Sequence, residues 1–425
     1  MNRFRHMLAL TRADLPASPL ARWASILLTL STLTFLISIA ASEACLIAAS
    51  LVYAFHLLRE RPRIHFPPVK LPLALFCSLS VVSVFFAANP SAGWFVVRKL
   101  VLFLILLVVV NLVVTARHLE WLCKALCFEA ALAGFVAIVQ FVIQYQEVSA
   151  LHPGRVYFYM TLTRIHGFMG HWMNFAGQQM LVFVTLAALI LLSVRVTKLW
   201  WGVGAVVAVS LILSFTRGVW LGCLVALVYL VARSRPRWLW ALPVLILVSY
   251  LAAPSLLRQR VHLALHPSAD PALSIRLEMW QAGLRMIRKH PWLGVGPNNI
   301  EQEYVLYLAP GRSPEPGFHS HLHNDYLQIA AERGLPCLAA LLWLLGALGW
   351  HIWKICQRAG EARWIAEGAL AAWLAMLVEG FFEFNLGTSP VLMVFLFYVS
   401  TPFVLEKLRN GVGPRAGAPP LMGRS

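Results

Sequence analysis

The chain has 425 residues, of which 60% are hydrophobic and 12% are charged, and its mean hydropathy is +0.72. Soluble globular chains carry about twice that share of charged residues, so the composition excludes an ordinary soluble domain. The formal net charge of +17 would suit a nucleic-acid-binding protein. However, the basic residues lie between apolar segments, where anionic lipid headgroups attract them. We therefore expect a protein that contacts membrane lipids and no nucleic acid.

Apolar runs of spanning length recur along the whole chain. About twenty apolar residues cross a bilayer as a helix, and a barrel would need alternating strands, which we do not find. We predict an all-α polytopic membrane protein with about twelve transmembrane helices. In chain order, the predicted spans end near residues 39, 58, 87, 114, 143, 194, 214, 231, 252, 353, 382 and 405.

The predicted organisation has four parts. Residues 1–253 hold spans one to nine, and residues 335–405 hold spans ten to twelve. Between them, residues 254–334 form the one large hydrophilic loop, in which we expect short helices. Residues 406–425 are rich in Gly and Pro and are predicted to be a disordered cytoplasmic tail.

The loop charges predict the orientation. Both termini and every even-numbered loop carry basic clusters, whereas the short odd-numbered loops hold almost none. By the positive-inside rule, both termini are cytoplasmic. The odd-numbered loops then place the chemically unusual residues on the outer face, namely Arg164, His171, Arg217, Arg276, Arg288 and residues 318–334.

Residues 318–334 are a polar run in a mostly apolar chain, which makes them the first candidate for a site. Histidine changes its protonation near neutral pH, and nearby carboxylates orient or tune it. From Leu322 the pattern is helical, and Gly334 and Pro336 indicate where this helix stops. The candidate residues of the run are His319, His321, His323, Asn324, Asp325 and Glu332.

Two further features are set by charge and periodicity. Residues 274–289 predict an amphipathic helix that lies along the bilayer and holds Arg276 over the lipid headgroups. Arg98 and Lys99 lie just inside the outer end of span four, where unpaired charges are costly. We expect them to pair either with a carboxylate such as Glu379 or Glu383, or with a bound anion.

This outer face suits chemistry on a phosphate group. Guanidinium groups bind phosphate through two parallel hydrogen bonds, and a histidine can remove a proton from a hydroxyl. No D-x-D cluster or Walker-type loop is present, so we expect neither a metal site nor ATP. Composition and placement together suggest a transferase that acts on a lipid-linked phosphate outside the cytoplasm.

Four motifs then occur in a recognisable order. The first is Arg164 to Ala176, the second is Arg217 with Leu221, and the third is Arg276, Leu277 and Trp280 followed by residues 290–296. The fourth is His323-Asn324 with Leu327, Glu332 and Gly334. With this order and the topology, the chain resembles the O-antigen ligases of lipopolysaccharide assembly, within the O-antigen ligase and polymerase superfamily. Cys337 departs from the small or aromatic residue that is usual there.

The resemblance implies a GT-C-like fold in a bacterial inner membrane, with a periplasmic active site and no cofactor. It implies transfer of O-antigen polysaccharide from undecaprenyl pyrophosphate to a sugar of lipid A-core, with inversion at the anomeric carbon. His323 would be the general base, and Arg217 and Arg276 would neutralise the leaving pyrophosphate. Asp325 and Glu332 would orient His323 or arginine side chains. The remaining candidates for substrate binding are Arg164, His171, His321, Asn324 and Arg288.

Three other functions stay open. An O-antigen polymerase would use a lipid-linked glycan as its acceptor too, and a protein O-oligosaccharyltransferase shares the central motif. A twelve-helix transporter is the alternative from another class. Carriers show internal repeats and a site at the membrane midplane, whereas the polar residues here gather at one face.

Overall fold

The structure is a computed structural model, and it describes residues 10–193, 196–266, 271–311, 320–360 and 362–411. His319 and residues 412–425 of the predicted disordered tail lie outside the described residues. The start of that tail is wrong, because residues 406–409 continue the last helix, Ser389–Arg409. The described residues form helices joined by loops, and they contain no strand.

The described residues of the first half of the chain form eight α-helices. The segment between α4 and α5 is a 3₁₀-helix, Arg98–Leu104, so these two helices make one interrupted span. The helices are α1 (Pro19–Thr32), α2 (Ile39–Glu60), α3 (Lys70–Phe85), α4 (Pro90–Val97), α5 (Ile105–Leu112), α6 (Ala116–Leu151), α7 (Val156–Leu162) and α8 (Trp172–Leu192).

The part of the second half that the structure describes adds nine α-helices. Three of them, α12 to α14, lie in the predicted large loop. The helices are α9 (Lys198–Leu213), α10 (Arg217–Ser234), α11 (Ala241–Ala252), α12 (Ser255–Leu265), α13 (Pro271–Lys289), α14 (Ile300–Glu303), α15 (Asp325–Cys356), α16 (Arg363–Glu379) and α17 (Ser389–Arg409).

The helices confirm the predicted fold class. Among the described residues, seven helical segments are long and apolar enough to cross a membrane, and three shorter ones are also apolar. Each of the twelve predicted spans coincides with a helix or, for span four, with the interrupted segment Pro90–Leu112. The chain is therefore an all-α, multi-pass membrane protein.

The centre of the bundle is formed by α8, α10, α16 and α17. Small residues let these helices approach closely, as is usual in membranes, where lipid tails are as apolar as the helix surfaces. Gly222 of α10 lies against the backbone of Ala375 in α16, and Gly368 of α16 lies against Thr185 and Ala188 of α8. On α17, large side chains fill the core and are almost fully buried.

The two ends of the bundle differ in their contacts. At one end, which we call the basic end, Lys407 donates to the carbonyls of Val110 and Val113 at 2.6 and 2.9 Å. Arg233 and Arg363 at this end bind Glu367. The loops predicted to be extracytoplasmic meet at the other end, which we call the histidine end.

The amphipathic helix α13 lies at the histidine end. The predicted apolar face is present, because Met279, Ala282 and Met286 are buried. This face packs against protein, including Tyr304 and Leu322. The prediction that it lies on the bilayer is therefore wrong, because the same periodicity serves a protein core.

Residues 291–296 dock on α15 at a kink. Gly334 has φ +83°, and a side chain there would collide with the carbonyl of Trp292. Gly294, at φ +68°, comes equally close to the backbone of Glu332. Only glycine adopts this conformation and allows this approach at low cost. The Val295 amide donates to the Ala331 carbonyl at 2.9 Å, which ties the loop to the helix.

Candidate active site

The backbone around His323 is held from both sides. Leu322 is fully buried, fits against Gly283 of α13 and accepts a hydrogen bond at its carbonyl from Trp280 Nε1 at 3.0 Å. On the other side, Asn324 caps α15, because its side chain accepts from the amides of Tyr326 and Leu327.

His323 itself has φ +46°, a left-handed conformation that is uncommon for residues other than glycine. Such strain persists only where the surrounding structure imposes it, and it gathers at functional sites. Here the anchored residues on both sides of His323 impose it.

The loop between α16 and α17, residues 380–388, is fastened to the start of α15. The Asp325 amide donates to the Gly380 carbonyl at 2.7 Å. In return, the Leu386 amide donates to Asp325 Oδ1 at 3.0 Å. The Asn324 side chain donates to the Phe381 carbonyl at 3.1 Å. These bonds bring Glu383 beside His323.

Glu383 joins the two principal candidates. Its Oε2 lies 2.8 Å from His323 Nδ1, and its Oε1 accepts from Arg276 Nη2 at 2.6 Å. The Glu383 side chain is 2% exposed, whereas His323 and Arg276 are 14% and 20% exposed. The carboxylate is therefore enclosed, while the two groups that it holds reach the surface of the site.

The charge state of Glu383 follows from these partners. Burial raises the pKa of Glu383, but the Arg276 charge and the His323 hydrogen bond outweigh burial and hold this pKa well below its usual range. Glu383 is therefore ionised at neutral pH, and an ionised carboxylate only accepts hydrogen bonds.

The prediction that Asp325 and Glu332 orient His323 is wrong, because both carboxylates bind other groups. Asp325 is fully buried and binds the Leu386 amide. Glu332 accepts from the Asn298 amide at 2.9 Å and from Gln328 at 2.8 Å. Glu332 thus fastens the loop before α14 to α15. It also forms an ion pair with Arg333 at 3.9 Å, in keeping with the alternative that it orients an arginine. Among the described residues, neither carboxylate forms a hydrogen bond or ion pair with His323.

Arginines gather around Glu383. The charges of Arg260, Glu383, Arg276 and Arg217 all act on Arg164. Desolvation, reinforced by Arg260, lowers the pKa of Arg164 below its usual range. Arg164 thus has three further guanidinium groups and one ionised carboxylate acting on it, which gives its surroundings an excess of positive charge, as a phosphate site requires. The structure therefore brings together the predicted residues Arg164, Arg217 and Arg276.

Arg260 is a residue that the sequence analysis missed. It is 6% exposed and donates through Nε to the Phe215 carbonyl at 3.0 Å. Phe215 has φ +53° and lies two residues before Arg217, which begins α10. Arg260 thus supports the turn that positions Arg217. The only sequence signal was a pair of arginines, Arg258 and Arg260, on a short helix, α12.

The histidines near His323 are part of the same region. The rings of His321 and His323 are 4.1 Å apart. Burial, followed by the charge of His323, lowers the pKa of His321 to about 3, so His321 is neutral at neutral pH. His171 caps α8 by accepting from the Met173 amide, and the charges of Glu383 and Arg164 act on it.

Two other predictions concern Arg288 as a substrate-binding residue and the partners of Arg98 and Lys99. Arg288 is exposed near the end of α13. Among the described residues, neither Arg98 nor Lys99 pairs with a carboxylate: Arg98 lies over the Phe95 ring at 3.9 Å, and Lys99 donates to the Gly387 carbonyl at 2.8 Å. Glu383 had been considered only as a partner for these two cations, and its pairing with His323 was missed.

Together, the fold and the site define a multi-pass membrane protein with a carboxylate–histidine pair and several arginines at one end of its bundle. Residues 202–342 match the family described as O-antigen ligase. This segment is about a third of the chain and contains Arg217, Arg276 and His323. The match confirms the O-antigen ligase superfamily for this region. A comparison with curated proteins found no match.

Proposed function

We propose that this protein transfers O-antigen polysaccharide from undecaprenyl pyrophosphate to a sugar hydroxyl of lipid A-core, on the periplasmic side of the bacterial inner membrane. The superfamily supports a glycosyl-transferring enzyme with polysaccharide and lipid substrates in the membrane. The observation that carries the finer proposal is the contact of His323 with Glu383 beside the arginines.

His323 acts as the general base. Because ionised Glu383 only accepts hydrogen bonds, neutral His323 carries its proton on Nδ1 and keeps the lone pair on Nε2. Nε2 takes the proton from the acceptor hydroxyl as the oxygen attacks the sugar. Glu383 then stabilises the imidazolium that forms, and it fixes the ring orientation throughout.

The arginines act on the leaving group. A bond forms between the acceptor oxygen and the anomeric carbon, while the bond from that carbon to the pyrophosphate oxygen breaks. The electron pair of the broken bond leaves with the pyrophosphate, so negative charge grows there. Arg217 and Arg276 stabilise this charge, with Arg164 nearby. Attack opposite the leaving group inverts the anomeric configuration.

The test uses purified protein with undecaprenyl-pyrophosphate-linked glycan, with or without lipid A-core, in excess EDTA. We expect glycan to appear on lipid A-core, only when this acceptor is present, with no effect of chelation. His323→Ala is the matched inactive variant, checked for folding by size-exclusion chromatography. EDTA-sensitive transfer would contradict the metal-independent mechanism.

The other products separate the alternatives. Longer lipid-linked glycan in the absence of lipid A-core would identify a polymerase. Glycan on an added protein acceptor would identify a protein O-oligosaccharyltransferase. If folded protein gives no product with any acceptor, flux of the lipid-linked glycan across proteoliposomes would test the transporter function.

A further inference from the structure

A second cationic site lies at the histidine end, away from His323. Arg98 and Lys99 occupy the 3₁₀-helix that interrupts the span Pro90–Leu112. A 3₁₀-helix of seven residues is unusually long, and such a segment inside a helix often marks a functional position or strain. Here it places two neighbouring cations within a membrane-spanning segment.

These cations border a cavity of about 250 Å³. Ile47 of α2 and Val101 and Leu102 of the 3₁₀-helix supply its apolar wall, and Glu43 of α2 and Ser389 at the start of α17 also line it. The backbone amides at the N-terminus of a helix favour anions. The cavity therefore combines two cations, one carboxylate and a helix N-terminus with an apolar wall.

The partners of these cations within the protein are incomplete. Within the described part of the chain, no carboxylate lies within ion-pair distance of Arg98 or Lys99, and the Lys99 amine binds only the Gly387 carbonyl. On the far side of Lys99, Arg333 is 5% exposed, and its Nε finds no hydrogen-bond acceptor among the described residues. The nearest carboxylate oxygen to this nitrogen, on Glu332, is 3.9 Å away.

The net charge of the cavity lining indicates the charge that a bound group should carry. The charged residues that line the cavity are Arg98, Lys99 and Glu43. With two positive side chains and one negative side chain, the lining keeps one positive charge. Uncompensated charge at membrane depth is costly, so one negative charge is needed.

We propose that this cavity binds the phosphate headgroup of one anionic phospholipid, with its acyl chain along Ile47, Val101 and Leu102. A phosphodiester with a single negative charge, as in phosphatidylglycerol, matches the charge left over. A zwitterionic lipid has no net charge and would leave this positive charge uncompensated. Because Lys99 also binds Gly387, the bound lipid would steady the loop that carries Glu383.

The test measures lipid binding, so it does not depend on the transferase proposal. Delipidated full-length protein in detergent is titrated with phosphatidylglycerol or phosphatidylcholine of identical chains, and bound lipids are counted by native mass spectrometry. The wild type should hold one phosphatidylglycerol in preference to phosphatidylcholine. Removing one charged hydrogen-bond donor should weaken this lipid by about tenfold in Lys99→Gln and in Arg98→Gln.

Lys289→Gln is the matched control, because it removes one positive charge from α13 at the same end and does not line the cavity. It should keep the affinity of the wild type. Equal binding of the two lipids by the wild type would overturn the proposal, and so would an unchanged preference in folded Lys99→Gln and Arg98→Gln. Displacement of the lipid by an equal concentration of inorganic phosphate would show a free-anion site and overturn the lipid assignment.

Discussion

Two buried carboxylates, one at each end of the bundle, show how similar residues serve different purposes. At the basic end, Glu367 is 0% exposed and binds Arg233 at 3.0 Å, Arg363 at 3.1 Å and the Tyr229 hydroxyl. At the histidine end, Glu383 is 2% exposed and binds Arg276 and His323.

The difference lies in what the partners can do. The partners of Glu367 are two permanent cations and a hydroxyl, and they join α10 to α16. Glu383 instead holds a histidine, which titrates near neutral pH. That histidine has a strained backbone, and further arginines lie nearby. The first arrangement stabilises the bundle, whereas the second is suited to proton transfer beside an anion.

The largest expected effect is at His323. We expect His323→Ala to reduce transfer by about 10²- to 10⁴-fold, the usual contribution of a general base. Tyr229→Phe, which removes a partner of Glu367 at the basic end, should change transfer less than twofold. The measurement is the initial rate with lipid A-core as acceptor. Near-normal transfer by folded His323→Ala would remove this residue from the mechanism.

The two carboxylates should separate activity from stability. Glu383→Gln keeps the shape but loses the charge that orients His323, so transfer should fall about 10²-fold. Its pH–rate profile should also change, which a purely structural role would not cause. Glu367→Gln should lower the free energy of unfolding by about 1 kcal/mol, because two partly exposed cations lose a buried partner, and folded protein should keep its rate. Loss of rate in folded Glu367→Gln, together with an unchanged rate in Glu383→Gln, would contradict the roles given to the two carboxylates.

A substitution at Arg217 distinguishes the need for guanidinium geometry from the need for a positive charge. Lys keeps the positive charge but lacks the guanidinium fork, so Arg217→Lys should lower transfer by about tenfold. Arg63→Lys, in a predicted cytoplasmic loop, is the control. Full activity in Arg217→Lys would mean that charge alone is needed there.

The smallest expected effect is on stability at low pH. The pKa of Glu383 is lower in the folded protein than its value of about 4.3 in an unfolded chain. Its contribution to stability is therefore complete above that value and is lost as the pH falls below it. Between pH 5 and pH 3, Tm should fall about 2 °C further in the wild type than in Glu383→Gln. If Tm falls equally with pH in the wild type and in Glu383→Gln, the ionisation of Glu383 does not contribute to stability.

The sequence by itself determined the class of fold and much of the candidate site. Hydrophobic runs predicted where the apolar helices lie, because a bilayer imposes their length. The loop charges separated the two sets of loops that the structure places at opposite ends. Arg217, Arg276 and His323 were found because each lies in a local motif, and local motifs can be read without knowing what packs beside them.

Only the tertiary structure decided how these residues are paired. Glu383 is 60 residues from His323 and 107 from Arg276, and no local pattern joins positions so far apart. The same holds for Arg260 and Phe215, and for the face of α13, where the apolar period is identical for a bilayer and a protein core. Asp325 and Glu332 were nearer to His323 in sequence, but helix α15 turns them into the protein. Sequence proximity follows the chain, whereas the site is assembled by helix packing and loop contacts.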